Sequence, residues 1–294
     1  MSPLAHLRSF ALALPKIELH AHLSGSISRQ CLNQIWLRKK SLDPALDLEA
    51  PLVAIPNDKV DYDLTSTLQV LADFEADGVV YLELRTTPRS IPQHNITKLK
   101  YVEAILGCIH GYEQIPQHRL RTRLILSVDR RDTLEQANEV VELAKSLRHR
   151  GVCAVDLCGD PARVPIHHLA PAFENARKAG LRITLHFAES PVSSSDKELW
   201  MLLSWRPDRL GHVINVHDEM KKTDDVGVFC SPLSEEYALA AEHFHLAKED
   251  LISLCERVVE ITFASEAEKA RLRQIYKLLR ENLKCKGPET HYLY

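Results

Sequence analysis

His20 and His22 stand two positions apart within residues 16–23 (KIELHAHL). On a strand, residues i and i+2 face the same side, so both imidazoles can share a metal ion. His186 closes another apolar run, and Glu189 follows three positions later. His212 lies in RLGH, at the end of a further run, and Asp224-Asp225 come after it. A carboxyl such as Glu189, if partly desolvated, can stay protonated near neutral pH and donate a proton. Three histidines and an aspartate make an N3O ligand set, which suits zinc or a similar borderline ion. Zinc lowers the pKa of its water toward about 7 and so makes hydroxide available at neutral pH. Each residue also has a plainer reading. His20 and His22 could be a core-packed pair, His186 and His212 buried strand residues, Glu189 a helix-start acid, and Asp224 and Asp225 surface charge. A second H-x-H, His243 and His245, falls in a helical polar stretch, where i and i+2 diverge. That pair reads as surface.

These residues need elements to position them. Six short runs are apolar on both faces, as strands are when helices cover a parallel sheet. They are residues 16–23, 79–86 (VVYLELRT), 122–128 (TRLILSV), 152–157 (VCAVDL), 181–186 (LRITLH) and 209–214 (RLGHVI). Amphipathic helical stretches lie between them, for example 134–148 and 166–179, the latter closed by Gly180. Such alternation predicts α/β architecture with a parallel sheet. The polar residues gather at the strand ends: His20, His22, Glu83, Arg85, Asp129, Asp156, Asp160, His186, Glu189 and His212. In a (β/α)8 barrel the C-terminal strand ends build the active site. Beyond about residue 233 only helices are expected, at 235–245, 248–261 and 266–283. Residues 41–57 read as a surface loop.

Composition narrows the class. The chain has 294 residues, 45% hydrophobic and 26% charged, with a net charge of −3. A basic surplus that would suit nucleic acid is lacking, and no membrane partner is expected. The seven cysteines are odd in number and form no C-x-x-C, which argues against a secreted disulfide framework. The first 14 residues hold an apolar stretch too short for a signal sequence. A cytoplasmic monomer of one domain, residues 1–294, is the expectation.

Seven segments in order resemble adenosine deaminase-like proteins, in the branch of the N6-methyl-AMP deaminases. They are residues 14–27 (LPKIELHAHLSGSI), 77–89 (DGVVYLELRTTPR), 128–131 (VDRR), 156–161 (DLCGDP), 185–189 (LHFAE), 208–212 (DRLGH) and 223–229 (TDDVGVF). The resemblance implies a TIM-type (β/α)8 barrel holding one Zn2+ per chain through His20, His22, His186 and Asp224. It further implies that Glu189 protonates purine N1, which makes C6 electrophilic, and that His212 acts on the water as base and electrostatic partner. Asp225 would orient the nucleophile and bond the N7 edge, while the Gly159 backbone N–H would hold the ring. His22 would also border the substrate. The implied reaction is hydrolytic deamination at C6 of an N6-substituted AMP, giving IMP and an amine. Ser24 stands where adenosine deaminases commonly carry Asp and the nucleotide-preferring branch usually carries Asn. A hydroxyl can donate to a 5′-phosphate that a carboxylate would repel. Ser26, the Gly25 amide and Arg89 could add contacts. Action on free adenosine, or a catalytically impaired short form with a binding or regulatory role, remain the alternatives.

The chain is short for such a barrel. Residues 213–222 (VINVHDEMKK) are all that separate His212 from Thr223. A single βαβ crossover takes roughly 30 residues. A second shortfall falls near residues 41–67, where the family has a pocket-lining helix. The expectation is therefore an incomplete barrel, with six strands and a stub at residues 223–225.

Overall fold

The computed structural model describes residues 3–27, 29–44, 64–162, 165–215 and 232–285. Asp224 and Asp225, and with them the expected strand stub, lie outside the described residues.

Among the described residues six strands form one sheet in sequence order, every neighbouring pair parallel. They are β1 (Lys16–Glu18), β2 (Val79–Thr86), β3 (Arg121–Asp129), β4 (Val152–Cys158), β5 (Arg182–Phe187) and β6 (Arg209–His212). Ten α-helices accompany them among the described residues: α1 (Pro3–Ala13), α2 (Arg29–Leu42), α3 (Leu64–Ala76), α4 (Lys98–Glu113), α5 (Leu134–Ser146), α6 (Ala170–Lys178), α7 (Asp196–Ser204), α8 (Leu233–Phe244), α9 (Lys248–Ile261) and α10 (Glu266–Cys285). No helix among the described residues is long and apolar enough to cross a membrane.

Local chemistry sets several helix starts. The Thr97 side chain accepts from the Lys100 N–H at the head of α4. Thr133 and Gln136 form a reciprocal capping box on α5, and Ser195 caps α7. Lys16 is fully buried, and its Nζ donates to the carbonyls of Ala11, Leu12 and Leu14 at the end of α1. One side chain thus satisfies carbonyls that the helix leaves open.

Strand parity sorts the sheet into an apolar outside and a polar inside. Leu82, Leu84, Leu124, Leu126, Val155, Leu157, Ile183 and Leu185 pack outward in one cluster with Ile105, Val140, Phe173 and Leu199 of the covering helices. Glu83, Arg85, Ser127, Asp156, Thr184, His186 and Arg209 are buried as well, and each alternates with those apolar residues. A second core forms where Ile17 and Tyr81 meet Leu251, Ile252 and Val259 of α9 and Leu272 and Tyr276 of α10.

The sheet curls until its two edge strands approach each other. Arg209 of β6 pairs with Glu83 of β2 at 2.6 Å and donates to the Leu19 carbonyl beyond β1 at 3.3 Å. Its guanidinium also lies 4.2 Å from the Phe263 ring, whose backbone N–H donates to Glu83. Among the described residues this is a curled half-barrel of six strands, as the incomplete TIM-type barrel implied by the sequence requires. Two boundaries differ. Regular pairing in β1 stops at Glu18, and His22 returns to the sheet only as an isolated bridge to Arg85. The region expected as loop is bordered by helix, because α2 runs to Leu42 and α3 begins at Leu64. The intervening residues 45–63 lie outside the described residues.

Candidate metal and active site

At the C-terminal ends of β1 and β5, three imidazoles converge. Nε2 of His186 lies 2.8 Å from Nε2 of His22 and 3.3 Å from Nε2 of His20. One nitrogen from each ring lies within 4.8 Å of the others, a spacing that could hold a metal ion. His186 Nδ1 donates to the Leu157 carbonyl at 2.8 Å and lies 3.2 Å from Asp156 Oδ1. That bond puts the proton on Nδ1 and leaves Nε2 free to act as a ligand, the usual outer support of a metal-binding histidine.

Electrostatics favour the ligand state. Burial, reinforced by the neighbouring His186, pushes His22 down to about 3. Burial and the Arg85 charge hold His20 well below the ordinary histidine value. Both rings are therefore neutral at pH 7, with lone pairs available for a cation. Asp156 is fully buried, which alone would raise its pKa. His186 and Arg85 outweigh that effect and keep it ionised.

His212 completes the cluster by an irregular route. β6 faces β5 with Gly211 opposite His186. A Cβ at Gly211 would lie 2.5 Å from Nδ1 of His20 and closer still to Cε1, so glycine is what lets His20 pack there. His212 has φ 68° and Val213 φ 53°, leaving strand geometry at the point where the ring joins the others. Left-handed backbone at such residues costs on the order of 1–3 kcal/mol each and concentrates at functional sites. The His212 ring centroid is 4.7 Å from that of His20 and 5.0 Å from that of His186. Its Nε2 is buried with no hydrogen-bond partner among the described residues and lies 3.9 Å from Glu189 Oε1. Burial, with the nearby His186, lowers His212 to about 4.

Glu189 is reached through another positive-φ residue, Ala188 at 49°. Its carboxylate is one-third exposed, at the mouth of the cluster. The chain after β6 secures it: Asn215 donates from its backbone to Ala188 at 2.9 Å and from its side chain to the Glu189 carbonyl at 3.1 Å. Gly159 ends β4 at φ 103°, where a Cβ would meet Asp129 Oδ1 at 2.7 Å. Only glycine fits that turn. Ser24 is exposed in the turn after His22, and Ser26 Oγ donates back to the His22 carbonyl at 2.7 Å. His243 and His245 are exposed at the end of α8, as expected of surface residues.

The structure thus brings His20, His22, His186, His212 and Glu189 together and puts Ser24 just beyond them. Three residues of the site carried no role in the sequence reading: Arg85, Asp156 and Asn215. The first two were visible as polar positions in strands buried on both faces. Asn215 gave no signal, because it works only through its position opposite Ala188.

Comparison with known proteins agrees with this geometry. The adenosine deaminase family model matches residues 62–221, more than half of the chain. The N6-methyl-AMP deaminase of Danio rerio is 32% identical over 93% of this chain and 97% of its own length. The chain belongs to the adenosine deaminase family. That alignment runs over 346 positions, more than the 294 residues present here. The relative therefore carries internal segments with no counterpart, in keeping with a shortened deaminase barrel. A solved Arabidopsis N6-mAMP deaminase superposes with a TM-score of 0.81 at 29% identity, covering 92% of this chain and 99% of that one. An Arabidopsis ADAL complexed with IMP gives 0.81 at 30% identity, covering 92% and 98%.

Gly211 offers a local check on the site. Gly211→Ala forces the new methyl against the His20 ring, and overpacking of this kind costs roughly 1–3 kcal/mol. A lowered denaturation midpoint together with weaker metal binding is the expected result. A variant matching the parent in both would show that His20 is not seated on β6.

Proposed function

We propose that the chain is a zinc-dependent hydrolase that deaminates N6-substituted AMP, such as N6-methyl-AMP, to IMP and the free amine. The observation that carries this reading is the three-histidine cluster at the strand C-termini with Glu189 and His212 beside it. The kinship with N6-methyl-AMP deaminases, and an ADAL relative solved with IMP, support the substrate class.

The donors fit the ion. Three imidazole nitrogens face one point, and the buried Nε2 of His212, without a hydrogen-bond partner among the described residues, borders it. His20, His22 and His186 would hold a single Zn2+, with Asp224 from outside the described residues as the fourth ligand. When bound, the ion supplies hydroxide at neutral pH by lowering the pKa of water. Glu189 donates a proton to N1 of the purine, drawing electron density from C6. His212 takes the proton released from the attacking water and steadies the charge that develops. The C6–oxygen bond forms, the C6–nitrogen bond breaks, the amine leaves with the proton that His212 took, and the new hydroxyl returns a proton to Glu189 as C6 becomes a carbonyl. The Gly159 N–H and Asp225 hold the purine edge, and Ser24 lies toward the 5′-phosphate.

The two cores share the β1–β2 side of the sheet. We accordingly read residues 1–294 as one catalytic domain, working as a monomer. A reducing, cytoplasmic setting suits the free thiols of Cys108, Cys153, Cys158 and Cys255.

Substrate preference is tested by comparing kcat/KM for N6-methyl-AMP and adenosine with the zinc-loaded chain. Higher kcat/KM for the nucleotide is expected. Faster turnover of adenosine would overturn the assignment.

A further inference from the structure

β1 stops pairing at Glu18, yet the arm that follows carries two of the three clustered histidines. Something other than the strand ladder must fix that arm against His186 on β5. Arg85 of β2 makes the connection. Its side chain is almost wholly buried, 1% exposed, and its fork reaches both sides of the cluster. Nη2 donates to the Leu19 carbonyl at 3.0 Å, immediately before His20. Nη1 donates to Asp156 Oδ1 at 3.0 Å, and that same oxygen lies 3.2 Å from Nδ1 of His186. Ser127 Oγ donates to the second oxygen of Asp156 at 3.0 Å and holds the carboxylate in place. The Arg85 backbone brackets the arm further, donating to the Ala21 carbonyl and accepting from the Leu23 N–H, both at 2.8 Å.

We propose that Arg85 and Asp156 are positioning residues for the metal centre, one guanidinium–carboxylate pair setting the spacing between the His20–His22 arm and His186. This rests on the metal-binding reading above. A buried ion pair contributes little net stability and can often be replaced by apolar residues without loss. Burying this one on three strands makes sense as placement. Lysine cannot take the part, because a single ammonium lacks the rigid fork that spans two acceptors. His186 keeps its bond to Leu157 in the absence of Asp156, so loss of the pair relaxes the centre without abolishing it.

The test replaces the pair with apolar groups, Arg85→Met with Asp156→Leu, and measures zinc affinity by chelator competition. The cobalt-substituted visible spectrum and the thermal midpoint are recorded alongside. The expected result is a folded protein whose zinc affinity falls roughly 10–100-fold, the usual effect of losing outer-shell support, with an altered cobalt spectrum. Arg85→Lys should show the same loss in a smaller degree, and it serves if the double variant does not fold. Parent-like affinity and cobalt spectrum in either folded variant would overturn the proposal. Zinc binding by the parent reports separately on the metal-site reading: a parent that binds none overturns that reading and this one together.

Discussion

His186→Ala will leave the chain unable to retain zinc and unable to deaminate. Of the three clustered histidines, His186 is the buried one, and its Nε2 is the atom nearest both partners. Its tautomer is fixed by the Leu157 carbonyl. Removing it leaves two half-buried imidazoles, which cannot close a zinc site on their own. The affinity loss should exceed the roughly 10–100-fold that follows removal of an outer partner. Stability should fall far less, because His186 sits among polar groups at the end of β5 and not in the helix-facing core. Metal analysis after gel filtration, beside a melting curve, checks both halves. A variant holding one zinc per chain would remove His186 from the ligand set.

Glu189→Gln separates proton donation from metal binding. Glutamine keeps the size and the backbone anchor to Asn215 but cannot hand a proton to the purine. General acid catalysis contributes typically about 10²–10⁴-fold, so kcat should drop by that order while zinc stoichiometry is unchanged. The carboxylate lies 3.9 Å from His212 and is not one of the three clustered groups that could hold a metal ion. Parent-like turnover in the glutamine variant would refute the role.

Much of the fold was legible because parallel strands covered by helices are apolar on both faces. Residues 152–157 and 181–186 were found within one residue of β4 and β5 for that reason. Polar residues breaking those runs then pointed to the cluster at the strand ends. His20 and His22 were read from i, i+2 spacing on one long strand. The structure delivers the same convergence with less strand, because Arg85 and Leu23 replace the ladder beyond Glu18. His212 was expected as an ordinary strand-end residue. It reaches the cluster through left-handed backbone, which residue type alone does not announce. The Arg85–Asp156 bridge was illegible as a pair, since it joins residues far apart in sequence across the inside of the curl. The shortfall expected after His212 rests on sequence length, and residues 216–231 lie outside the described residues. Asp224 and Asp225 were named from the resemblance and lie outside the described residues.

That this short barrel performs the family's chemistry is the proposal on which the others depend. Its most direct test is formation of IMP from N6-methyl-AMP by the purified, zinc-loaded chain, followed by the absorbance change and by product chromatography. Steady IMP release that stops on chelation and returns with zinc is the predicted result. A zinc-loaded, folded chain that forms no IMP would overturn the proposal.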